Sequence, residues 1–135
     1  MKYKILIVIS NYYTDISNSL LKNARSILQN RAKLKVINVP GVFEIPVVIA
    51  KNIKKFDGFV ALGCVIKGET PHFDFISQAT TSAIMNLSIE NKKPISNGII
   101  TCLNMKQAIA RSSNSSKTNK GLEASKAVLS VLNNY

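Results

Sequence analysis

Short apolar runs and helix-period stripes take turns along this chain. Lys4 to Ser10 is dominated by Ile, Leu and Val, the pattern of a strand covered on both faces. Behind it, Ile16, Leu20, Ala24, Ile27 and Leu28 recur at helical spacing, with Thr14, Asp15 or Ser17 available as caps. Leu34 to Val39 predicts a second strand, stopped by Pro40-Gly41. Phe43 to Lys55 predicts a helix in whose first turn Pro46 must sit, because proline removes a backbone donor and clashes deeper in a helix. Phe59 to Ile66 predicts the third strand. A long helix from Pro71 to about Glu90 follows, with a stripe at Ile76, Ala79, Ala83 and Leu87. Pro94 and Asn97-Gly98 precede a fourth strand around Ile99 to Leu103. Met105 to Arg111 predicts a short helix, Ser112 to Asn119 a polar loop, and Gly121 to Asn133 a last helix with Leu122, Val128, Leu129 and Leu132 on one side.

Repeated strand–helix units with buried strands imply an α/β fold: a four-stranded parallel sheet with helices on both faces, in three α/β/α layers. There is no internal repeat and no linker, so residues 1–135 are expected to form one domain. A chain of this length buries roughly 68% of the surface exposed when it is unfolded. In parallel sheets ligands bind outside the carboxyl ends of the strands. Ser10-Asn11-Tyr12, Pro40 to Glu44, Lys67 to His72 and Cys102 to Asn104 all fall at such ends.

Composition narrows the function classes. No apolar run approaches the roughly 20 residues that span a bilayer, so no membrane role is expected. The start, Met1-Lys2-Tyr3-Lys4-Ile5, runs directly into a strand without a signal-peptide pattern, and a cytoplasmic protein is expected. Cys64 and Cys102 both lie in apolar strand-like runs, which fits buried thiols in a reducing compartment better than a disulfide. The net charge of +11 raises the question of nucleic acid. However, the basic residues are spread from Lys2 to Lys126, the largest cluster being Lys51, Lys54 and Lys55, without interleaved aromatics. A solvated basic surface, or AT-rich coding, accounts for the charge, and no nucleic-acid partner is expected.

The chemistry concentrates in Gly63-Cys64-Val65-Ile66-Lys67-Gly68-Glu69-Thr70-Pro71-His72-Phe73-Asp74-Phe75, which holds the only histidine. It reads as the end of a buried strand passing straight into a helix. Thr70 fits the helix N-cap and Pro71 the first helical position, where its missing N–H costs nothing. Unpaired N–H groups and the positive end of the helix dipole would converge there on a phosphate or carboxylate. A titratable imidazole stands one residue further on. An anion site beside a proton shuttle points to an enzyme.

Pro40-Gly41-Val42-Phe43-Glu44-Ile45-Pro46, Ala61 to Asp74 and Asn119-Lys120-Gly121 together resemble the 6,7-dimethyl-8-ribityllumazine synthase family, along essentially the whole chain. The resemblance implies the flavodoxin-like form of the α/β/α sandwich. It also implies the penultimate step of riboflavin biosynthesis: condensation of 5-amino-6-(D-ribitylamino)uracil with 3,4-dihydroxy-2-butanone 4-phosphate, with no metal and no organic cofactor. It further implies small-molecule substrates, a homo-oligomer (a pentamer, a decamer or a sixty-subunit shell) with sites at subunit interfaces, and a functional link to riboflavin synthase.

Residue by residue, His72 matches the proton-transferring histidine. A helix N-terminus disfavours the imidazolium, so a neutral imidazole suits the position. Asp74 is two positions on, off the same helix face, and no histidine–carboxylate pair is expected. Gly68, Glu69 and Thr70 match the phosphate-binding turn, although Glu69 stands where a small residue is expected, and its carboxylate must point away from the phosphate. Arg111 matches an arginine that completes phosphate binding from the neighbouring subunit with a bidentate grip. Tyr12 matches an aromatic that stacks on the pyrimidine, with Tyr13 as the neighbouring candidate. Val42, Phe43 and Glu44 match the turn that receives ribityl hydroxyls, and Cys64, Val65 and Ile66 would line the heterocycle with backbone groups. Asn97, brought by the neighbouring subunit, replaces a commonly aromatic residue and keeps only polar contact. Taken singly, each has a plainer reading: a surface histidine, a helix-ending arginine, packing tyrosines. Two rivals are a non-catalytic lumazine or flavin carrier on the same fold and a basic RNA-binding protein.

Overall fold

The computed structural model describes residues 3–114 and 117–135. Met1 and Lys2, at the expected start of the chain, and Ser115 and Ser116, in the middle of the expected polar loop, lie outside the described residues. The elements run β1 (Tyr3–Ser10), α1 (Thr14–Leu28), β2 (Ala32–Val39), a 3₁₀ turn (Val42–Glu44), α2 (Ile45–Asn52), β3 (Gly58–Ile66), α3 (His72–Asn91), β4 (Ile95–Cys102), α4 (Met105–Ser112) and α5 (Lys120–Asn134). Every strand pair is parallel, in the order β2-β1-β3-β4. Helices cover both faces, in a flavodoxin-like three-layer sandwich.

Alternation along β1 shows how the layers form. Ile5, Ile7 and Ile9 join a core built with Leu20, Ala24 and Leu28 of α1 and Val128 and Leu129 of α5. Leu6 and Val8 join the opposite core, with Ile45 and Ile49 of α2 and Ile84 of α3. These five β1 side chains are essentially inaccessible, and burying each contributes roughly 1.5–3 kcal/mol. Cys64 and Cys102 are buried free thiols, as their apolar surroundings predict.

Four expectations are corrected. The segment predicted as one helix from Phe43 to Lys55 divides into the 3₁₀ turn and a shorter α2, with Pro46 in the first turn of α2. The fourth strand begins at Ile95, four residues before the expected Ile99, because polar Ser96, Asn97 and Gly98 conceal an edge strand paired with Val60, Ala61 and Leu62. Along α3, Ile76 and Leu87 of the expected stripe pack against the core, but the inaccessible residues are Thr80 and Ile84, and Ala79 is exposed. Apolar residues stand on several sides of that helix, so its periodicity is weak, and Phe75, Met85 and Ile89 face outward. Finally, the helix predicted to start at Pro71 starts at His72, with Pro71 in the cap position.

Candidate functional site

The strand order reverses between β1 and β3, and the polypeptide leaves those two strands in different directions. Such a switch point opens a crevice at the carboxyl ends. The crevice here is a cleft of about 630 Å³, lined by Ser10, Tyr12, Tyr13, Gly41, Val42, Phe43, Glu44, Cys64, Val65, Ile66, His72 and Ile76. Its walls are chiefly apolar, with a few polar groups converging on it, the usual make-up of a small-molecule site.

Tight backbone packing shapes the floor. A β-carbon at Gly63 would stand 3.0 Å from Val42 Cγ2 and 3.3 Å from Ser10 Cβ. Glycine there lets the 3₁₀ turn close onto β3, and buried Val42 becomes the hinge point of that wall. The same turn brings the Glu44 carboxylate back over Gly41, whose own β-carbon would meet Glu44 Oε1 at 3.0 Å. Phe43, at 61% exposure, projects from the rim. The opposite rim carries Tyr12, 74% exposed, edge-on to Tyr13 with ring centroids 5.0 Å apart. Tyr13 is half-buried and packs against the core, so Tyr12 is the ring left open to a partner.

Cys64 closes the bottom. Burial pushes its thiol up to about 12, and the neighbouring Cys102, through its charge and a side-chain hydrogen bond, adds to the effect. The thiol is protonated at neutral pH and offers no nucleophile. Burial, followed by the nearby Cys64 and Tyr12, also raises the Tyr13 phenol above its ordinary value.

His72 is exposed on the first residue of α3 and lines the cleft. Its backbone N–H donates to Thr70 Oγ1 at 3.4 Å, but the cap position is that of Pro71, and Thr70 stands one residue before it. The Pro71 carbonyl accepts from the Asp74 and Phe75 N–H groups at 3.1 and 3.2 Å, which fixes the first turn.

Of the residues singled out from sequence, Tyr12, Val42, Phe43, Glu44, Cys64, Val65, Ile66 and His72 meet in this cleft. Gly68, Glu69 and Thr70 are exposed in the turn leading into α3 and do not line it. Arg111 stands in the last turn of α4 near the carboxyl end of β4, its Nη1 donating to the Thr101 carbonyl at 3.4 Å and to Cys102 Sγ at 3.6 Å. Asn97 is exposed on β4, its Oδ1 accepting from the Ile99 N–H at 3.0 Å. Neither lines the cleft. Three lining residues had not been singled out for the site: Ser10, Gly41 and Ile76. Ser10 and Gly41 stood at strand ends and were findable from topology, whereas Ile76 looked like core.

The comparisons agree with one another. The family model described as 6,7-dimethyl-8-ribityllumazine synthase matches residues 2–135. A protein of that name from Bartonella henselae (strain ATCC 49882 / DSM 28221 / CCUG 30454 / Houston 1) is 45% identical over 136 residues, covering 97% of this chain and 87% of its own. One from Buchnera aphidicola subsp. Baizongia pistaciae is 42% identical over 139 residues, covering 98% and 87%. One from Methylorubrum populi is 41% identical over 137 residues, covering 96% and 80%.

Proposed function

The chain belongs to the 6,7-dimethyl-8-ribityllumazine synthase family, and from that membership and its cleft we propose that it condenses 5-amino-6-(D-ribitylamino)uracil with 3,4-dihydroxy-2-butanone 4-phosphate. The products are 6,7-dimethyl-8-ribityllumazine, phosphate and two molecules of water. One observation carries the reading: eight residues singled out from the sequence, drawn from the loop after β1, the 3₁₀ turn, β3 and α3, converge on one cleft at the carboxyl ends of the central strands.

In this mechanism the pyrimidine lies in the cleft with its ring against Tyr12, its edge on the backbone of Cys64, Val65 and Ile66, and its ribityl chain toward Val42, Phe43 and Glu44. Glu44 accepts from ribityl hydroxyls. The primary amine of the pyrimidine attacks the ketone of the butanone phosphate, and loss of water gives an imine. His72 removes a proton next to the imine and phosphate leaves. Ring closure by the ribitylamino nitrogen and loss of a second water give the lumazine, with His72 returning protons where they are needed. Holding both reactants together supplies roughly 7–11 kcal/mol of the barrier reduction. Proton relay adds about 10²–10⁴-fold.

The phosphate goes to the turn Gly68-Glu69-Thr70. Apart from its two chain neighbours, a β-carbon at Gly68 would meet no described atom within 4 Å, so open space lies beside that backbone. Arg111 and Asn97, which lie off their own chain's cleft, would serve the cleft of a neighbouring subunit. The reading therefore includes a homo-oligomer, a pentamer or a sixty-subunit assembly, working in the cytoplasm beside a riboflavin synthase that uses the product.

The test is to mix both substrates with the purified protein and follow the lumazine chromophore together with released phosphate. Appearance of both in equal amounts is the expected result. A protein that only carried lumazine would bind the product yet release no phosphate, and that outcome would remove the synthase reading.

A further inference from the structure

We infer that Cys102 is a positioning residue that holds Arg111 for phosphate binding, an inference that rests on the proposed role of Arg111. Three observations converge on this cysteine. Its sulfur accepts from Arg111 Nη1 at 3.6 Å, an ordinary distance for an N–H···S contact, beside the Thr101 carbonyl at 3.4 Å. Two adjacent acceptors at the end of β4 therefore hold one edge of the guanidinium and leave its other donors unused by these contacts. The Cys102 carbonyl accepts from the Lys67 N–H at 2.9 Å, which ties the backbone beneath the sulfur to the turn that precedes Gly68, Glu69 and Thr70. The sulfur is also buried, beneath the cleft lining and in contact with Cys64.

The backbone that carries Arg111 is fixed from its own side. Asn104 Oδ1 accepts from the Gln107 N–H at 2.9 Å, and Gln107 Oε1 accepts from the Leu103 N–H at 2.8 Å, so both ends of the loop into α4 are pinned. The Ser112 carbonyl, one residue beyond Arg111, accepts from Ser19 Oγ and from Asn119 Nδ2. With α4 held at both ends by these hydrogen bonds, the main freedom left to Arg111 is the rotation of a long side chain. Fixing such a side chain in advance removes an entropic cost that phosphate binding would otherwise bear. A sulfur acceptor suits this role, because a carboxylate at the same place would neutralise the guanidinium and compete with the phosphate.

The test is steady-state kinetics of the assembled enzyme with each substrate varied in turn. Cys102→Ala should raise KM for the butanone phosphate by about two- to tenfold, the range set by losing one modest hydrogen bond. KM for the pyrimidine should stay unchanged, and kcat nearly so. Cys102→Ser, which restores an acceptor, should bring KM back toward the wild-type value, a result that a purely structural role would not give. Arg111→Ala sets the reference, and Cys102→Ala added to it should raise KM no further. A multiplicative rise in the double variant, or equal rises for both substrates in Cys102→Ala, would overturn the inference while leaving Arg111 in place. No change of phosphate-substrate KM in Arg111→Ala would overturn the role of Arg111 itself, and the role of Cys102 with it.

Discussion

His72 stands in solvent at the first residue of α3, and no hydrogen bond of its ring restrains it within the chain among the described residues. Removing the imidazole therefore leaves packing alone while removing the proposed relay. His72→Ala should lower turnover by about 10–100-fold with assembly intact, because buffer and water replace a relay only in part. An unchanged kcat would dismiss the assignment. Cys64 behaves in the opposite way, since its interest lies in what burial does to it. An unfolded thiol loses its proton near its ordinary value of 9.0, whereas the folded one keeps it to about 12. The folded state thus binds the extra proton, and the resulting stabilisation is present below about pH 9 and disappears as pH rises toward about 12. Melting temperatures taken from about pH 8 to about pH 11 should fall more steeply for the wild type than for Cys64→Ala. Parallel slopes would mean that Cys64 does not titrate in this way. Local chemistry of this kind was only partly legible. Thr70 and Pro71 announced a helix start, but Pro71, with ψ at 3°, takes the cap position itself, Thr70 stands one residue before it, and the helix begins at His72. Gly63 sat in plain view inside the motif, yet its reason, the approach of Val42 and Ser10, exists only after folding.

At the scale of elements, strands were the legible part. β1 and β3 each hold a near-continuous apolar run because helices cover both faces, and each was placed to within about one residue at either end. β4 lost its first half because an edge strand tolerates polar residues that a central one does not. α3 showed its length and, through Ile76 and Leu87, its core side, but its most buried positions, Thr80 and Ile84, were missed because outward Phe75, Met85 and Ile89 blur the stripe. The Asn119-Lys120-Gly121 motif was readable as a signature and not as a mechanism. Asn119 Oδ1 caps α5 by accepting from the Leu122 N–H at 3.1 Å, while its Nδ2 donates to the Ser112 and Ser113 carbonyls at 2.9 Å each. Gly121 lets α5 approach α1 so closely that a β-carbon would stand 2.2 Å from the Leu20 carbonyl oxygen. Aspartate is as good an N-cap as asparagine in an isolated helix. Here Asn119→Asp keeps the cap but removes both donors and sets a carboxylate against two carbonyls. It should cost about 1–3 kcal/mol in chemical denaturation, a penalty set by the unpaired buried groups. A stability equal to wild type would show that capping alone explains the residue.

At the scale of the whole molecule, the cleft of one chain is an incomplete version of the proposed site. His72 and the residues proposed to hold the pyrimidine, Asn97 excepted, line that cleft, while Asn97 on β4 and Arg111 on α4 lie off its lining. Nothing in the pattern of one chain could reveal that division, because periodicity reports which faces are buried and not which copy a side chain serves. The proposal makes the division testable by mixing subunits. Arg111→Ala and His72→Ala protomers are reassembled together, with subunit exchange confirmed by mass. If Arg111 reaches a neighbour's cleft, some sites in mixed rings pair an intact His72 with an intact Arg111, while others carry both defects. Losses concentrated in the doubly defective sites leave the intact sites at full rate, so activity should exceed the average of the two parents. If both residues served the cleft of their own chain, every site would keep one defect at any mixing ratio, and activity would stay at that average. A flat response after confirmed exchange would therefore rule out the shared site, even with lumazine still being made.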